Sequence, residues 1–194
     1  MSFDFDRLIG QVAAAVAAEQ PKAEAPKGSV PPAGSSRKPE TSAGEQTAAR
    51  TGFAGADRMT LKLAHLLMAA VERQAADMGV NAVVAVADAG GNTLSVDCMD
   101  DAFLASYDIA VNKAYTSVAL KMPTADLAQL AAPGGSLYGI QNTNGGRIVI
   151  FGGGQPLRSN GVIIGGVGVS GGTAEEDTFL GEFARRVFEE LVKA

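Results

Sequence analysis

The hydrophobic positions divide the chain into a short amphipathic segment, a segment almost without large apolar residues, and a long remainder with regular periodicity. Over residues 4–19 the apolar residues recur at the three- and four-residue spacing of one helical face. They are Phe5, Leu8, Ile9, Val12 and Val16. Pro21 closes this predicted helix. Because a helix this short is marginal alone in water, its apolar stripe needs a partner.

Residues 21–56 hold five of the eight prolines, and their only large apolar residues are Val30 and Phe53. Such a composition cannot bury enough apolar surface to offset the entropy of ordering the chain. It predicts a flexible, disordered linker with a root-mean-square span of roughly 30–36 Å. The predicted organisation is therefore a helix within residues 1–20, a linker over 21–56 and a folded domain over 57–194.

Within the folded part, helical periodicity alternates with strand signals. Helices are predicted over 60–78, 102–120, 124–131 and from a capping box at Thr173 to about 192. Strands are predicted over 82–88, 93–99, 147–151, about 155–159 and 161–169. Turn sequences at Ala89–Asn92 and Asn160–Gly161 predict antiparallel hairpins. The order α-β-β-α-α-β-β-β-α indicates an α+β domain, a central antiparallel sheet of about five strands flanked by helices.

Composition removes several classes of protein. The chain has 16 basic and 21 acidic residues, a net charge of -5, and no basic cluster, which disfavours nucleic-acid binding. No run reaches the roughly 18–20 apolar residues that cross a bilayer, and Asp4 and Asp6 stand where a secretory signal needs basic residues. The single cysteine, Cys98, excludes an intramolecular disulfide and any zinc site that needs several cysteines. We therefore expect a cytoplasmic protein with no membrane partner.

Two glycine-rich segments resemble nucleotide-binding loops but lack the required context. Gly166-Val-Gly168-Val-Ser-Gly171 matches the spacing of a dinucleotide fingerprint, yet no further strand follows the next helix. Its glycines are interpreted as positions of close packing or of close approach by a bound group. The segment Gly152, Gly153 and Gly154 lacks the Lys-Ser/Thr of a P-loop. It predicts either a bend between strands or backbone amides lining a ligand pocket or subunit contact.

His65 is the only imidazole of the chain and lies at the edge of the apolar stripe of the first long helix. The ordinary interpretation is a surface or hydrogen-bonded histidine. One histidine can nevertheless serve as an axial haem ligand, and the absence of a Cys-x-x-Cys-His motif makes any such haem non-covalent.

Other polar residues have an ordinary interpretation and a functional one. Asn112, Lys113 and Thr116 lie opposite the apolar stripe of the second long helix, which predicts that they face solvent, or else a ligand or another subunit. Asp100 and Asp101 are expected to cap that helix. Cys98 is expected to point inward as a buried, inert thiol.

Taken together, a set of short motifs resembles the GlcG/HbpS haem-binding family, and most closely the C-terminal domain of PduO-type proteins. The motifs are Asp88-Ala-Gly-Gly-Asn92, Met99-Asp-Asp-Ala-Phe103, Asn112-Lys-Ala-Tyr115, Pro133-Gly-Gly-Ser-Leu-Tyr-Gly139, Phe151-Gly-Gly-Gly-Gln-Pro156 and Ile164-Gly-Gly-Val-Gly-Val-Ser-Gly-Gly172. Each is weak alone, but they cover most of residues 60–190 in the family's order.

The resemblance implies an α+β fold, homo-oligomers, and haem as ligand, with a corrinoid as the alternative tetrapyrrole. It implies that His65 is the axial ligand of the haem iron. It also makes Asn112, Lys113, Thr116, Gly152, Gly153 and Gly154 candidates for a ligand pocket or oligomer contact. The corrinoid adenosyltransferase domain of PduO-type proteins does not precede this domain, so adenosyl transfer is not expected.

The predicted N-terminal helix and its linker resemble an encapsulation peptide, the tag by which cargo docks on the shell of a bacterial microcompartment. PduO-type domains occur with such organelles, so the resemblance implies shell proteins as partners and a microcompartment interior as location. The shell-docking residues would be Phe5, Leu8, Ile9, Val12 and Val16. The alternative is a helix that folds back on its own domain or promotes self-association.

The sequence leaves the activity open between three classes. The first is an oligomeric haem-binding cargo protein. The second is an enzyme, either haem-degrading or a redox helper in cobalamin reactivation, because haem chemistry needs few protein groups. The third is a structural adaptor without a ligand.

Overall fold

The computed structural model describes Arg7, Gly10 and residues 52–193. Residues 52–193 contain four α-helices: α1 (Leu61–Met78), α2 (Ser106–Leu120), α3 (Thr124–Ala131) and α4 (Ala174–Val192). They also contain four strands: β1 (Val83–Asp88), β2 (Thr93–Cys98), β3 (Gly154–Ser159) and β4 (Val162–Ser170). The predicted α+β class is confirmed.

The strands form one antiparallel sheet in the order β2-β1-β4-β3. Both predicted hairpins are present. Asn160 and Gly161, between β3 and β4, have φ angles of 49° and 80°, and positive φ at both central residues is what a type I′ turn requires. Between β1 and β2, the Asp88 carboxylate accepts the amides of Gly90 at 2.8 Å and Asn92 at 2.9 Å.

Helices cover both faces of the sheet. Successive side chains of β1 point to opposite faces and are buried on both. Val84 and Val86 belong to the large core beneath α1 and α4. Val83, Ala85 and Ala87 form a smaller cluster beneath α2. The strand predicted over residues 82–88 is therefore present and buried on both faces.

Side-chain caps fix the start of two helices. Thr60 Oγ1 accepts the Leu63 amide at 3.2 Å at the beginning of α1. Thr173 and Glu176 form the predicted reciprocal capping box of α4. Phe53 and Ala56, in the segment predicted as linker, pack against the core near these helices.

The sequence prediction of five strands was wrong by one. Residues 147–151 form no strand. Their backbone groups bond to the Thr116 side chain instead of to a neighbouring strand: the hydroxyl accepts the Val149 amide at 3.1 Å and donates to the Arg147 carbonyl at 3.2 Å. The four-stranded sheet is complete without this segment.

The second long helix begins at Ser106 rather than at residue 102. Asp101 has a φ of 61°, and this left-handed residue belongs to a turn closed by the Ala102 amide and the Met99 carbonyl. The N-cap position is Ala105, which makes no side-chain cap, so the prediction that Asp100 and Asp101 cap this helix was wrong.

Gly166 and Gly168 of β4 allow α2 to approach the sheet closely. A Cβ atom at Gly168 would lie 2.0 Å from the Ala110 carbonyl oxygen, and one at Gly166 would lie 2.6 Å from Ser117 Oγ. Neither position has room for a side chain. The predicted interpretation as close packing is confirmed for these two glycines.

Candidate functional site

His65 lies on the solvent-facing side of α1 and is exposed. At about 100° per residue, the exposed or half-buried positions Leu61, Ala69, Glu72 and Ala76 fall within roughly 40° of it on the helix. His65 therefore stands within a stripe along α1 that contains two alanines. The imidazole is open to a partner from outside.

A groove of about 600 Å³ runs beside this stripe. We call it the α1 groove. It is lined by Ala69, Glu72, Arg73, Ala76, Asn81, Cys98, Met99 and Asp100. Ala69 is one helical turn beyond His65, about 6 Å along the axis. The imidazole thus lies one helical turn before a concave surface whose helical side is formed partly by alanine, and His65 is not itself a lining residue.

Cys98 is exposed at the end of β2 and lines the α1 groove, so the prediction of an inward, buried thiol was wrong. The alternation along β2 does not produce one buried face, because residues 94–97 are all half-buried. Its neighbour Met99 packs against the core and accepts the Ala82 amide through Sδ at 3.4 Å.

Lys113 is completely buried, so the prediction that it faces solvent was wrong. Its ammonium donates to Asp177 Oδ2 of α4 at 2.6 Å and to the Val169 carbonyl at 2.7 Å. It also lies 5.0 Å from the centre of the Phe151 ring. The long side chain passes the end of β4 and joins α2 to the first turn of α4.

Burial lowers the pKa of Lys113, and the attraction and hydrogen bond of Asp177 only partly oppose that effect. The second carboxylate oxygen of Asp177 accepts the Gly172 amide at 3.0 Å. This pair is therefore held by backbone groups as well as by its own charges, which is the arrangement that a buried ion pair needs.

Asn112 and Thr116 hold the segment that precedes β3. Thr116 is fully buried, against the solvent-facing interpretation, and binds residues 147 and 149 as described above. Asn112 is half-buried and its Oδ1 accepts Arg147 Nε at 3.4 Å. The Arg147 guanidinium lies 3.7 Å from the centre of the Tyr115 ring. The functional reading of these residues as an oligomer contact stays a prediction.

Gly152, Gly153 and Gly154 form a bend in which each residue touches another element. Added Cβ atoms would lie 1.8 Å from Thr178 Oγ1, 2.5 Å from the Val169 carbonyl oxygen and 2.6 Å from Thr124 Cγ2, respectively. Gly153 also has a φ of 114°. These close approaches seat the segment between α2, α3 and α4 beside Lys113.

A second groove, of about 370 Å³, opens on the Asp177 side of the ion pair. We call it the aromatic groove. It is lined by Phe103, Ala105, Ser106, Ile109, Phe151, Ser170, Gly171, Gly172, Ala174 and Asp177. Phe103 precedes α2, and 72% of its surface is exposed. The groove was missed because its walls come from three separate segments of the chain.

Other candidate chemistry is limited within residues 52–193. Those residues contain no group of three or more His, Cys, Asp or Glu side chains arranged to hold a metal ion. None of the helices described there is long and apolar enough to cross a membrane. The predicted shell-docking residues Phe5, Leu8, Ile9, Val12 and Val16 lie outside the described part of the chain.

Comparison with known proteins assigns the fold. Residues 59–184 match the family model described as "Haem degrading protein HbpS-like". The chain belongs to the HbpS-like family. The match spans α1 to the middle of α4 and therefore includes His65, the α1 groove and the Lys113–Asp177 pair.

Relatives of this HbpS-like chain differ in length. An uncharacterized 15.0 kDa protein of Citrobacter freundii is 51% identical over 133 residues, which are 69% of this chain and 94% of that protein. The corrinoid adenosyltransferase PduO of Salmonella typhimurium is 42% identical over 122 residues, 63% of this chain and 36% of PduO. The chain thus corresponds to about a third of that enzyme.

A solved relative carries a ligand. The structure described as the PduOC:heme complex has a TM-score of 0.65 to this HbpS-like chain and is 36% identical to it. The match covers 67% of this chain and 94% of that one.

Proposed function

We propose that the chain binds haem in the α1 groove, with His65 as axial ligand of the iron. The observation that carries this proposal is the position of the chain's single imidazole, exposed on α1 one helical turn before the first residue that lines a groove of about 600 Å³. The groove is large enough for a cofactor, since small-molecule sites have volumes of about 300–1,000 Å³. The haem-bound relative and the family description support the choice of haem.

The helical side of the groove can accept a flat group. Ala69 and Ala76 project little from the helix, so a planar ring approaches the α1 backbone without a collision. Leu61, half exposed at 51%, adds apolar surface on the His65 side. Bound haem supplies redox and ligand-exchange chemistry at its iron. The chain would supply the imidazole and a wall of small and apolar side chains.

A haem titration tests the site. Adding haem to the full chain should produce a Soret band, and His65→Ala should shift the band and weaken binding by about 10-fold or more. Ala76→Arg should also weaken binding, because a long side chain fills the groove while His65 remains. Lys62→Ala, an exposed change about two turns before Ala69 on a flank of the stripe, is the matched control. An unchanged spectrum in His65→Ala would remove His65 from the site. A parallel titration with a corrinoid tests the alternative tetrapyrrole.

The same proposal includes a homo-oligomer. Haem held by His65 at this exposed site would keep part of its surface uncovered, and a second copy of the chain could cover it. Sedimentation with and without haem should therefore show a larger species that depends on His65. If the mass changes neither on adding haem nor in His65→Ala, assembly of the oligomer does not depend on haem ligation by His65.

We further propose that the chain is cargo of a bacterial microcompartment and that residues 1–20 dock on its shell. The support is the apolar stripe of the sequence, Phe5, Leu8, Ile9, Val12 and Val16, followed by the proline-rich linker. A fluorescent reporter fused to residues 1–20 should form foci with co-expressed shell proteins. Ile9→Asp should abolish them, whereas Gln11→Asp, off the stripe, should not. Diffuse fluorescence of the unmodified fusion would contradict targeting.

A further inference from the structure

We infer that the predicted helix of residues 4–19 packs on the aromatic groove of its own chain whenever no shell protein holds it. The surface involved is the groove together with Leu104 and Tyr107, which adjoin the lining residues Phe103 and Ser106 in the sequence, and we call it the aromatic face. The inference does not depend on haem binding, because the aromatic groove and the α1 groove share no lining residue.

Exposed large apolar side chains are concentrated at the aromatic face. Phe103 is 72% exposed, Leu104 95%, Tyr107 49% and Phe151 41%. The other large apolar side chains that are exposed in the described part of the chain come one each from five different segments: Leu61, Leu130, Tyr138, Val162 and Phe179. Contiguous exposed apolar surface marks interaction sites, whereas single exposed apolar residues are normal. The aromatic face is therefore the surface that needs an occupant.

The polar groups that border the groove already have partners. The two carboxylate oxygens of Asp177 accept Lys113 Nζ and the Gly172 amide. The hydroxyls of Ser106 and Ser170 are bonded to each other at 3.3 Å. The surface that remains uncovered is thus the apolar one, and covering it removes that area from water. An occupant with an apolar side suits the face better than a charged ligand does.

The apolar stripe of the predicted N-terminal helix has the spacing of such an occupant. Phe5, Ile9 and Val12 stand at positions i, i+4 and i+7, the anchor spacing of a helix that lies in a groove. Arg7 and Gly10, on the opposite side of the predicted helix, are helical and exposed. Because so short a helix is marginal without a packing partner, a cover for the stripe also stabilises the helix.

The length of the connecting chain favours the same molecule. Phe53 packs on the core and the Gly55 amide donates to the Val192 carbonyl at 3.1 Å, so the chain enters the domain at the last residue of α4. The groove includes Ala174, the first residue of α4, which at 1.5 Å per residue is about 27 Å away. The intervening residues 21–51 have a root-mean-square span of about 28–33 Å as a flexible chain.

A tether whose span matches the distance between two sites gives the highest effective concentration, in the millimolar range. An intrinsic dissociation constant of about 1 mM is therefore sufficient to keep the helix on the aromatic face for half of the time. A second copy of the chain at micromolar concentration cannot compete with that. Shell proteins that bind the stripe more tightly would still displace the helix from the face.

Paramagnetic broadening in the full chain tests the inference. Cys98→Ser removes the single cysteine, and Ala14→Cys then places a nitroxide on the polar side of the predicted helix. Without haem or shell proteins, the amide signals of Ser106 and Tyr107 should lose about half of their intensity or more. Amides in the middle of α1 should keep theirs. Equal intensities at both places would overturn the inference.

Paired variants identify the contacts that cause the broadening. Ile9→Asp changes the stripe and Leu104→Asp changes the aromatic face, and each should restore the amide signals. Leu104→Asp leaves the domain folded, because this side chain is almost completely in water. Gln11→Asp, off the stripe, and Val162→Asp, at another exposed position, are the matched controls and should not alter the broadening. Broadening that survives both Ile9→Asp and Leu104→Asp would contradict the inference.

A mixed sample distinguishes the same chain from a second copy. Isotope-labelled chain without a nitroxide is mixed with unlabelled chain that carries one, and the labelled amides should stay sharp. Selective broadening in the mixture would show that another copy supplies the helix, and the inference would be wrong. Shell docking is measured on residues 1–20 without the domain, so a failure of either proposal leaves the other unaffected.

Discussion

The two faces of the sheet are packed by different means. Beneath α1 and α4, large apolar side chains interdigitate, among them Leu67, Leu180 and Phe188. Beneath α2, the strand side chains are small and two glycines let backbone approach backbone. The α2 side also buries polar side chains, including Lys113, Thr116 and Ser117. One face is thus a conventional core, and the other is a close contact with polar connections at its end.

The difference has a consequence for function. A side-chain core absorbs small changes of volume by repacking, whereas a backbone contact has no flexible atoms that can move away. The Lys113–Asp177 pair, which borders the aromatic groove, lies at the end of the close contact between α2 and the sheet. The α1 groove lies on the outer side of α1, beyond the conventional core. We therefore expect the aromatic groove to be the more sensitive of the two to changes in packing.

The largest effect should come from breaking the buried pair. Asp177→Ala leaves Lys113 buried without its charge partner, and we expect the free energy of unfolding to fall by about 3–5 kcal/mol. Urea denaturation measures this. Glu189→Ala is the control, because the exposed Arg185–Glu189 pair at 2.5 Å should contribute less than about 1 kcal/mol. Similar losses of unfolding free energy in both variants would show that burial of the Lys113–Asp177 pair does not increase its contribution to stability.

The double variant Lys113→Met/Asp177→Leu separates charge from packing. If the large loss in Asp177→Ala reflects an uncompensated ammonium, replacing both partners with apolar residues should recover most of it. Failure to recover stability would mean that the hydrogen bonds to Val169 and Gly172 are the essential contribution.

The second prediction compares the two faces directly. Gly168→Ala adds one methyl group where the nearest atom is the Ala110 carbonyl oxygen, and it should cost about 3 kcal/mol of unfolding free energy. Val167→Ala, the adjacent residue on the opposite face, removes two methyl groups and should cost about 2 kcal/mol. Denaturant unfolding of both gives the order. A Gly168→Ala protein as stable as the unmodified chain would show that α2 is free to move.

The pH dependence of stability provides a third test. The pKa of Lys113 is lowered in the folded state below its ordinary value of 10.5, so the unfolded chain binds more protons in the interval just below 10.5. Stability should therefore rise with pH in that interval, with a slope of at most about 1.4 kcal/mol per pH unit. Lys113→Met should lack this contribution. If the stability profiles of the two proteins run parallel up to pH 10.5, the lowered pKa of Lys113 is excluded.

Much of the fold was predictable because its signals are local. The caps at Thr60 and Thr173 and the turn at Asn160–Gly161 each depend on residues within a few positions of one another. The two-sided burial of β1 followed from an unbroken apolar run. The start of α2 was not predictable in this way. Nothing in the sequence indicates the left-handed conformation of Asp101, so the helical periodicity predicted a start at residue 102.

The candidate sites were predictable only in part because they depend on contacts between distant segments. His65 was recognised as the single imidazole, and its exposure is a local property of the helix. Lys113 was assigned to solvent because nothing near it in the sequence reveals Asp177, 64 residues away. Gly152 and Gly168 indicated in the sequence that another segment comes close to the backbone there. The sequence did not identify that segment.

The smallest predicted effect concerns the segment mistaken for a strand. Thr116→Val keeps the shape of the side chain and removes the hydroxyl that binds the Val149 amide and the Arg147 carbonyl. We expect a loss of about 1 kcal/mol, because the deprived groups are partly open to water. Hydrogen exchange of the Val149 amide should accelerate while amides of β1 stay protected. Thr143→Val, whose hydroxyl makes only exposed hydrogen bonds, is the control. Unchanged exchange at Val149 would mean that the segment is held by the burial of Ile148 rather than by Thr116, and the α2 face would then rely on apolar contact as the other face does.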